Sequence, residues 1–217
     1  MIEVRSSAAP KYENQHFNRF YHPTKDKHIV KVLPGGVYCT SKEDELIATG
    51  LGSCVAACVW DCHEHIGGMN HFLLPFDNKS QLKSWNPEEV ISTASRYGSY
   101  AMEMLINAMI ERGAQRSSLQ VKLFGGAQML GRSSMVGEKN VSFILNYVKQ
   151  EGLDVVAQDL GGLEPRKVMF DPCTGKAWLK RIPFTEVHLL QNQEEKYARQ
   201  LDRESHCPHD DDVELFE

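Results

Sequence analysis

Thr49-Gly50-Leu51-Gly52-Ser53-Cys54-Val55-Ala56-Ala57-Cys58-Val59-Trp60-Asp61, followed closely by Gly67-Gly68-Met69-Asn70-His71-Phe72-Leu73-Leu74-Pro75, is the stretch on which the fold turns. Ser53 to Trp60 is small, β-branched and apolar, and reads as a buried strand. Gly67 to Leu74 reads as a second, ended by Pro75, with a hairpin around Asp61–Ile66 between them. Upstream, Ile29-Val30-Lys31-Val32-Leu33 is rich in β-formers, Pro34-Gly35-Gly36 is a turn, and Val37-Tyr38-Cys39-Thr40 resumes as a strand. Residues 1–28 are polar and carry His16, His22 and His28. They read as an extension lying on a body that begins at Ile29.

Downstream, Asn86 is a good N-cap, Pro87 suits a first helical position, and Glu89 completes a capping box. A helix over 87–112 follows, with Val90, Ala94, Tyr97, Ala101, Met104 and Ala108 as its apolar stripe and Gly113 as its stop. Leu119–Phe124 reads as a strand running into Gly125-Gly126. The next helix spans 138–151, facing inward through Val141, Ile144, Leu145 and Val148. Strands at 154–159, 167–170 and 176–182 close the body. A short helix over 186–201 and an acidic, solvated tail complete the chain. Strands interrupted by two helices predict an α+β layered single domain over 29–184, flanked by the extension 1–28 and the tail 185–217.

Composition narrows the function classes. The 217 residues carry a formal net charge of −5 with signs mixed, which argues against a nucleic-acid partner. No apolar run is long enough to span a membrane, and the N-terminus lacks the apolar stretch of a secretory signal. A cytoplasmic protein without direct membrane insertion is expected, so the six cysteines are expected reduced.

Amide hydrolysis by a thiol needs an accessible nucleophile, a base in reach, a group fixing the imidazole tautomer, and N–H donors for the oxyanion. Gly50 and Gly52 allow a sharp turn and close approach to a substrate. Cys54 then sits where a loop enters a strand, with His71 on the neighbouring strand. By spacing alone, a core cysteine and a structural histidine are the better account of the pair. Cys54, Cys58 and Cys62 near His63, His65 and His71 outline a metal cluster on paper. A paired C-x-x-C is missing, however, and along a strand Cys54 and Cys58 would stand about 13 Å apart. No metal and no cofactor are expected. Cys58 reads as core, Cys62, His63 and His65 as hairpin tip, and Cys39 and Cys173 as structural. The tail segment His206-Cys207-Pro208-His209 with Asp210 to Asp212 offers at most loose metal binding.

The segments KVLPGGVYCT, LGSCVAACVWD, IGGMNHFLLP, LFGGAQML and DLGG followed by RKVMFDPCTGKAWLKRI, in order from about Phe17 to Ile182, resemble the chemoreceptor glutamine deamidase (CheD) family. The resemblance implies a layered α/β/β/α-type fold shared with cytotoxic deamidase toxins. It implies a cysteine–histidine–threonine site, which places the nucleophile at Cys54, the base at His71 and the third residue at Thr49. Ser53 and Gly52, with the Gly125-Gly126 turn, are the expected oxyanion region. The implied activity is protein-glutamine glutaminase action on methyl-accepting chemotaxis receptors, releasing ammonia, with methylesterase action as a side reaction of the same thioester route. A CheC-type phosphatase is the implied further partner. A non-catalytic adaptor binding receptors or CheC is the competing reading. Leu163-Glu164-Pro165 is where the chain departs from the family's pattern.

Overall fold

The computed structural model describes residues 17–74, 87–128, 133–183 and 188–204. Ten strands form two stacked five-stranded sheets. The first sheet runs β1 (Asn18–His22), β2 (Lys27–Lys31), β4 (Glu45–Leu51), β9 (Arg166–Phe170) and β10 (Ala177–Arg181). The second runs β3 (Val37–Thr40), β6 (Ile66–Asn70), β5 (Val55–Asp61), β7 (Leu119–Gly125) and β8 (Asp154–Leu160). Helices α1 (Pro87–Glu111) and α2 (Ser133–Gln150) pack on the second sheet, and α3 (His188–Glu204) brings Leu201 into the space between the sheets. The α+β layered reading is borne out.

Strand β5 is apolar throughout because both of its faces are covered. Val55, Ala57 and Val59 point into the core beneath the helices, with Phe72, Met102, Leu105 and Ile106. Cys54, Ala56, Cys58 and Trp60 point into the core between the sheets, against Ile47, Val168 and Phe170. Period-2 alternation decides the face, so burial on both sides erases the polar–apolar alternation a surface strand would show. The β5–β6 hairpin pairs Asp61 with Ile66, as expected. Gly67 and Gly68 in β6 are there for space: a Cβ at Gly67 would stand 2.3 Å from the Pro172 carbonyl, and one at Gly68 would meet Leu105 at 2.6 Å.

Two strands lie outside the sequence reading. β1 and the start of β2 fall in the supposed extension, yet they pair in register from Asn18–Lys31 to His22–Lys27, so the body starts earlier than Ile29. β4 falls where the chain reads as a glycine-bearing loop. It pairs in parallel with β2 and antiparallel with β9, with Gly50 in the ladder opposite Lys167. The inward face of α1 is also rotated from the expected stripe. Met102, Leu105, Ile106 and Met109 are buried beside Ala108 of the expected stripe, while its Ala101 and Met104 are only partly so. Val90 and Ala94 have side chains outside the described set, as has the proposed cap Asn86. In α2, Leu145 is exposed, and Ile144, Tyr147 and Val148 face the core. Gly113 ends α1 with φ of 104°, as read, and Gly152 follows α2 in the same way with φ of 62°.

Asp61 ties the hairpin to the start of β7. Its carboxylate accepts hydrogen bonds from the N–H groups of His63, Glu64 and Gln115 and from Ser118 Oγ. Burial works to raise its pKa, but those donors win and hold it down to about 2. Its folded pKa lies below the unfolded 3.8, so its contribution is complete above that value and is lost as pH falls toward 2. Asp61→Ala is expected to cost about 2 kcal/mol in urea titration at pH 7, and less at pH 3. An unchanged midpoint at pH 7 contradicts this role.

Candidate active site

The site forms where the strand ends of both sheets meet. Thr49 comes from β4 of the first sheet. Cys54 immediately precedes β5 and His71 immediately follows β6, both strands of the second. The segment around His71 is fixed by backbone bonds, since Gly35 N–H donates to the His71 carbonyl and His71 N–H donates to the Gly36 carbonyl. The neighbouring Phe72 and Val55 exchange both of their backbone bonds, which brings the chain beside Cys54.

Thr49 Oγ1 lies 2.8 Å from His71 Nδ1 and 2.7 Å from the Val32 carbonyl. A hydroxyl has one proton, and the Val32 oxygen can only accept it. Thr49 therefore donates to Val32 and accepts from His71 Nδ1–H. That assigns the Nδ1–H tautomer and leaves Nε2 with a free lone pair. His71 Nε2 is buried and has no hydrogen-bond partner among the described residues. Donor atoms of Cys54, His71 and Glu194 stand within 4.8 Å of one another. The structure thus brings Cys54, His71 and Thr49 together.

The loop 52–54 presents its N–H groups to one point. Gly52 N and Cys54 N donate to Glu194 Oε1 at 2.7 and 3.3 Å, and Ser53 N donates to Glu194 Oε2 at 2.9 Å. Ser53 Oγ adds a fourth bond at 2.8 Å. This is a concave anion site made of successive backbone amides. Gly52 has no positive φ, and its glycine serves close approach: a Cβ there would stand 2.9 Å from the Glu194 carboxylate. The loop is held from behind. Gly126 N–H donates to the Cys54 carbonyl, Ala127 N–H to the Gly52 carbonyl, and Asn140 Nδ2 to the Ser53 carbonyl. The Gly126 amide is therefore committed to the back of the loop, away from the Glu194 carboxylate. Gly125, at φ 115°, passes so close that a Cβ would stand 2.1 Å from the Cys54 oxygen.

Burial pushes the Cys54 thiol well above its usual range, and the adjacent Glu194 carboxylate pushes it further. Burial also pulls the pKa of His71 down to about 4, although the Glu194 charge works against it. With α3 in place the pair is a neutral thiol beside a neutral imidazole.

The paper metal cluster does not assemble. Cys58 is core, Cys62 is exposed at the hairpin tip, and His65 Nδ1 lies 3.2 Å from the Cys173 carbonyl. The grouping that does form, Cys54 with His71 and Glu194, has its carboxylate aimed at N–H dipoles, which suit an anion better than a cation. The segment 206–212 lies outside the described residues. At the far side of the site, buried Arg166 gathers the loop that departs from the family pattern, donating to the carbonyls of Asp159, Gly161 and Glu164 and to the Asp159 carboxylate.

Sequence reasoning missed Glu194 and Asn140. Asn140 lies on a helix face without any motif. Glu194 sits in an acidic, amide-rich stretch that looks solvated. Its one signal was spacing, since Glu194, Tyr197, Ala198 and Leu201 step along one helix face.

This arrangement of thiol, imidazole, hydroxyl and amide cradle can be set beside known proteins. Residues 74–181 match the profile of the family described as CheD chemotactic sensory transduction. A protein of Vibrio vulnificus strain CMCP6, named "Probable chemoreceptor glutamine deamidase CheD", is 59% identical over 94% of each chain. The chain belongs to the CheD family. A CheD relative of the same name from Vibrio cholerae strain M66-2 is 55% identical over 93% of this chain and 84% of its own. One from Halorhodospira halophila is 42% identical over 93% and 90%. A solved structure of Neisseria meningitidis protein NMB0706 aligns with a TM-score of 0.36 at 10% identity over 58% of this chain and 53% of its own, too remote to bear on this CheD chain. No described helix is long and apolar enough to cross a membrane.

Because the folded pKa of His71 lies below the ordinary 6.5, the unfolded chain takes the proton first. The stability that neutral His71 contributes is therefore complete above 6.5 and erodes as pH falls toward 4. Nitrogen-15 NMR of the imidazole should show the Nδ1–H tautomer and a midpoint well below the ordinary one. A midpoint at or above 6.5 contradicts the assignment.

Proposed function

We propose that this chain is a protein-glutamine deamidase acting on chemotaxis receptors, with Cys54 as nucleophile, His71 as base and Thr49 as the residue that orients the imidazole. The observation that carries the reading is the 2.8 Å contact between Thr49 Oγ1 and His71 Nδ1, which leaves Nε2 without a hydrogen-bond partner among the described residues, in a site where donor atoms of Cys54 and His71 lie within 4.8 Å of one another.

Chemistry follows from that geometry. His71 Nε2 takes the thiol proton. The thiolate attacks the carboxamide carbon of a receptor glutamine, forming the C–S bond. The developing oxyanion settles among the N–H groups of Gly52, Ser53 and Cys54, whose directions are already set by the bonds behind the loop. His71 returns the proton to the departing nitrogen, and ammonia leaves. Water, deprotonated by the same imidazole, hydrolyses the thioester to glutamate. The receptor gains one negative charge for each glutamine converted. Glutamate methyl esters enter the same path with methanol as leaving group. A CheC-type phosphatase is a partner that regulates this activity on the same reading.

Cys54→Ala and His71→Asn should each lower deamidation of a receptor fragment by about a thousandfold or more while leaving the urea midpoint within about 1 kcal/mol of the parent. Mass spectrometry reads a gain of about one mass unit per glutamine converted to glutamate. Full activity in Cys54→Ala contradicts the nucleophile. Tight receptor binding with no mass gain in the unaltered chain favours the adaptor instead. The side reaction has its own check: methylated receptor incubated with the unaltered chain should release methanol, and its absence removes that step.

A further inference from the structure

Glu194 is the one acidic side chain in the amide cradle, and α3 is built to keep it there. Glu194 is only 7% exposed and Leu201 only 4%, while the residues between their turns, Gln193, Glu195, Lys196, Arg199 and Gln200, lie in water or at its edge. Tyr197, Ala198 and Leu201 pack on the core between the sheets, the cluster that also holds Cys54. Tyr197 crosses Gly35 so closely that a Cβ there would stand 2.6 Å from its hydroxyl oxygen. Spacing of i, i+3, i+4 and i+7 is how an amphipathic helix sits in a groove. The side chain it delivers has the length and end group of the reaction's product, since glutamate is what deamidation of a glutamine leaves. Both carboxylate oxygens lie on the donors that an oxyanion would use.

We propose that α3 is a resident product mimic: Glu194 holds the place of the substrate's side chain, and α3 covers the groove into which a glutamine-bearing helix docks. The inference rests on the deamidase reading and deepens it. Two consequences follow from the geometry. Substrate and α3 compete for one seat, so turnover requires α3 to leave. The substrate side chain arrives from a helix, since the groove already fits one. The protonated state of Cys54 beside Glu194 agrees with a closed, resting site.

Full-length Glu194→Ala and Leu201→Asp test the proposal from opposite ends of the groove. The first empties the cradle, and the second loosens α3 without touching it. Both should raise the rate of Cys54 alkylation by iodoacetamide, and the rate of receptor deamidation, by about tenfold or more. In Glu194→Gln the introduced carboxamide lies before Cys54. Thiolate attack, loss of ammonia and hydrolysis would restore the carboxylate, a gain of about one mass unit at position 194 that Cys54→Ala abolishes. Alkylation rates unchanged in both Glu194→Ala and Leu201→Asp overturn the proposal, even where receptor deamidation proceeds. Stoichiometric zinc bound by the unaltered chain and lost in Glu194→Ala also overturns it, because the carboxylate would then be a ligand. Accelerated alkylation without receptor deamidation in any chain would leave the plug standing and count against the deamidase reading.

Discussion

The N–H groups of Gly52, Ser53 and Cys54 point into a space that excludes water, and a buried amide donor left unpaired costs free energy of a few kcal/mol. An acceptor must meet them, and three converging donors favour one that carries negative charge. In this structure it is the Glu194 carboxylate. During turnover it would be the oxygen of a carboxamide acquiring charge. The same requirement explains why the loop is gripped from behind by Gly126, Ala127 and Asn140. With its carbonyls committed elsewhere, the loop cannot rotate its amides away, and the cradle keeps its direction whether or not it is filled.

Polarity at the site is divided between two sources. The cradle supplies fixed dipoles aimed at an anion, and the imidazole supplies the lone pair that its Thr49 contact leaves free at Nε2. Thr49 links them to the first sheet, because its hydroxyl is pinned to the Val32 carbonyl at 2.7 Å before it can hold His71. The grouping of Cys54, His71 and Thr49 therefore spans both sheets, with Ile47, Phe170, Cys58 and Trp60 packed between them. A small sliding of one sheet on the other would separate His71 from Thr49 without moving either residue within its own segment. Sites built this way gain precision from close-packed cores, which resist such sliding.

The hairpin of β5 and β6 was legible because a strand buried on both faces leaves an unbroken apolar run, and a turn of polar residues marks its tip. β4 was not. Thr49-Gly50-Leu51-Gly52 reads locally as a loop, and only pairing with β2 and β9, far away in sequence, makes it a strand. β1 was lost for a related reason: a polar edge strand such as Asn18–His22 has no apolar alternation to declare it. Periodicity identified both long helices, yet it could not say which side of α1 would face β3 and β6, so Met102 and Leu105 were passed over. Cys54 and His71 were ambiguous by spacing and became specific only through the joint pattern of motifs. Glu194 left only its helical spacing as a signal, because its partners lie some 140 positions away and an acid in a charged stretch ordinarily faces solvent.

Chemistry at Cys54 is the point on which the proposed deamidation depends. A receptor fragment mixed with the unaltered chain and quenched in acid during turnover can be digested and analysed for covalent adducts. A thioester joining Cys54 to the side chain of a receptor glutamine, decaying as glutamate appears, is the predicted result. Deamidation proceeding at full rate with no adduct on Cys54, or with the adduct on another cysteine, would contradict it.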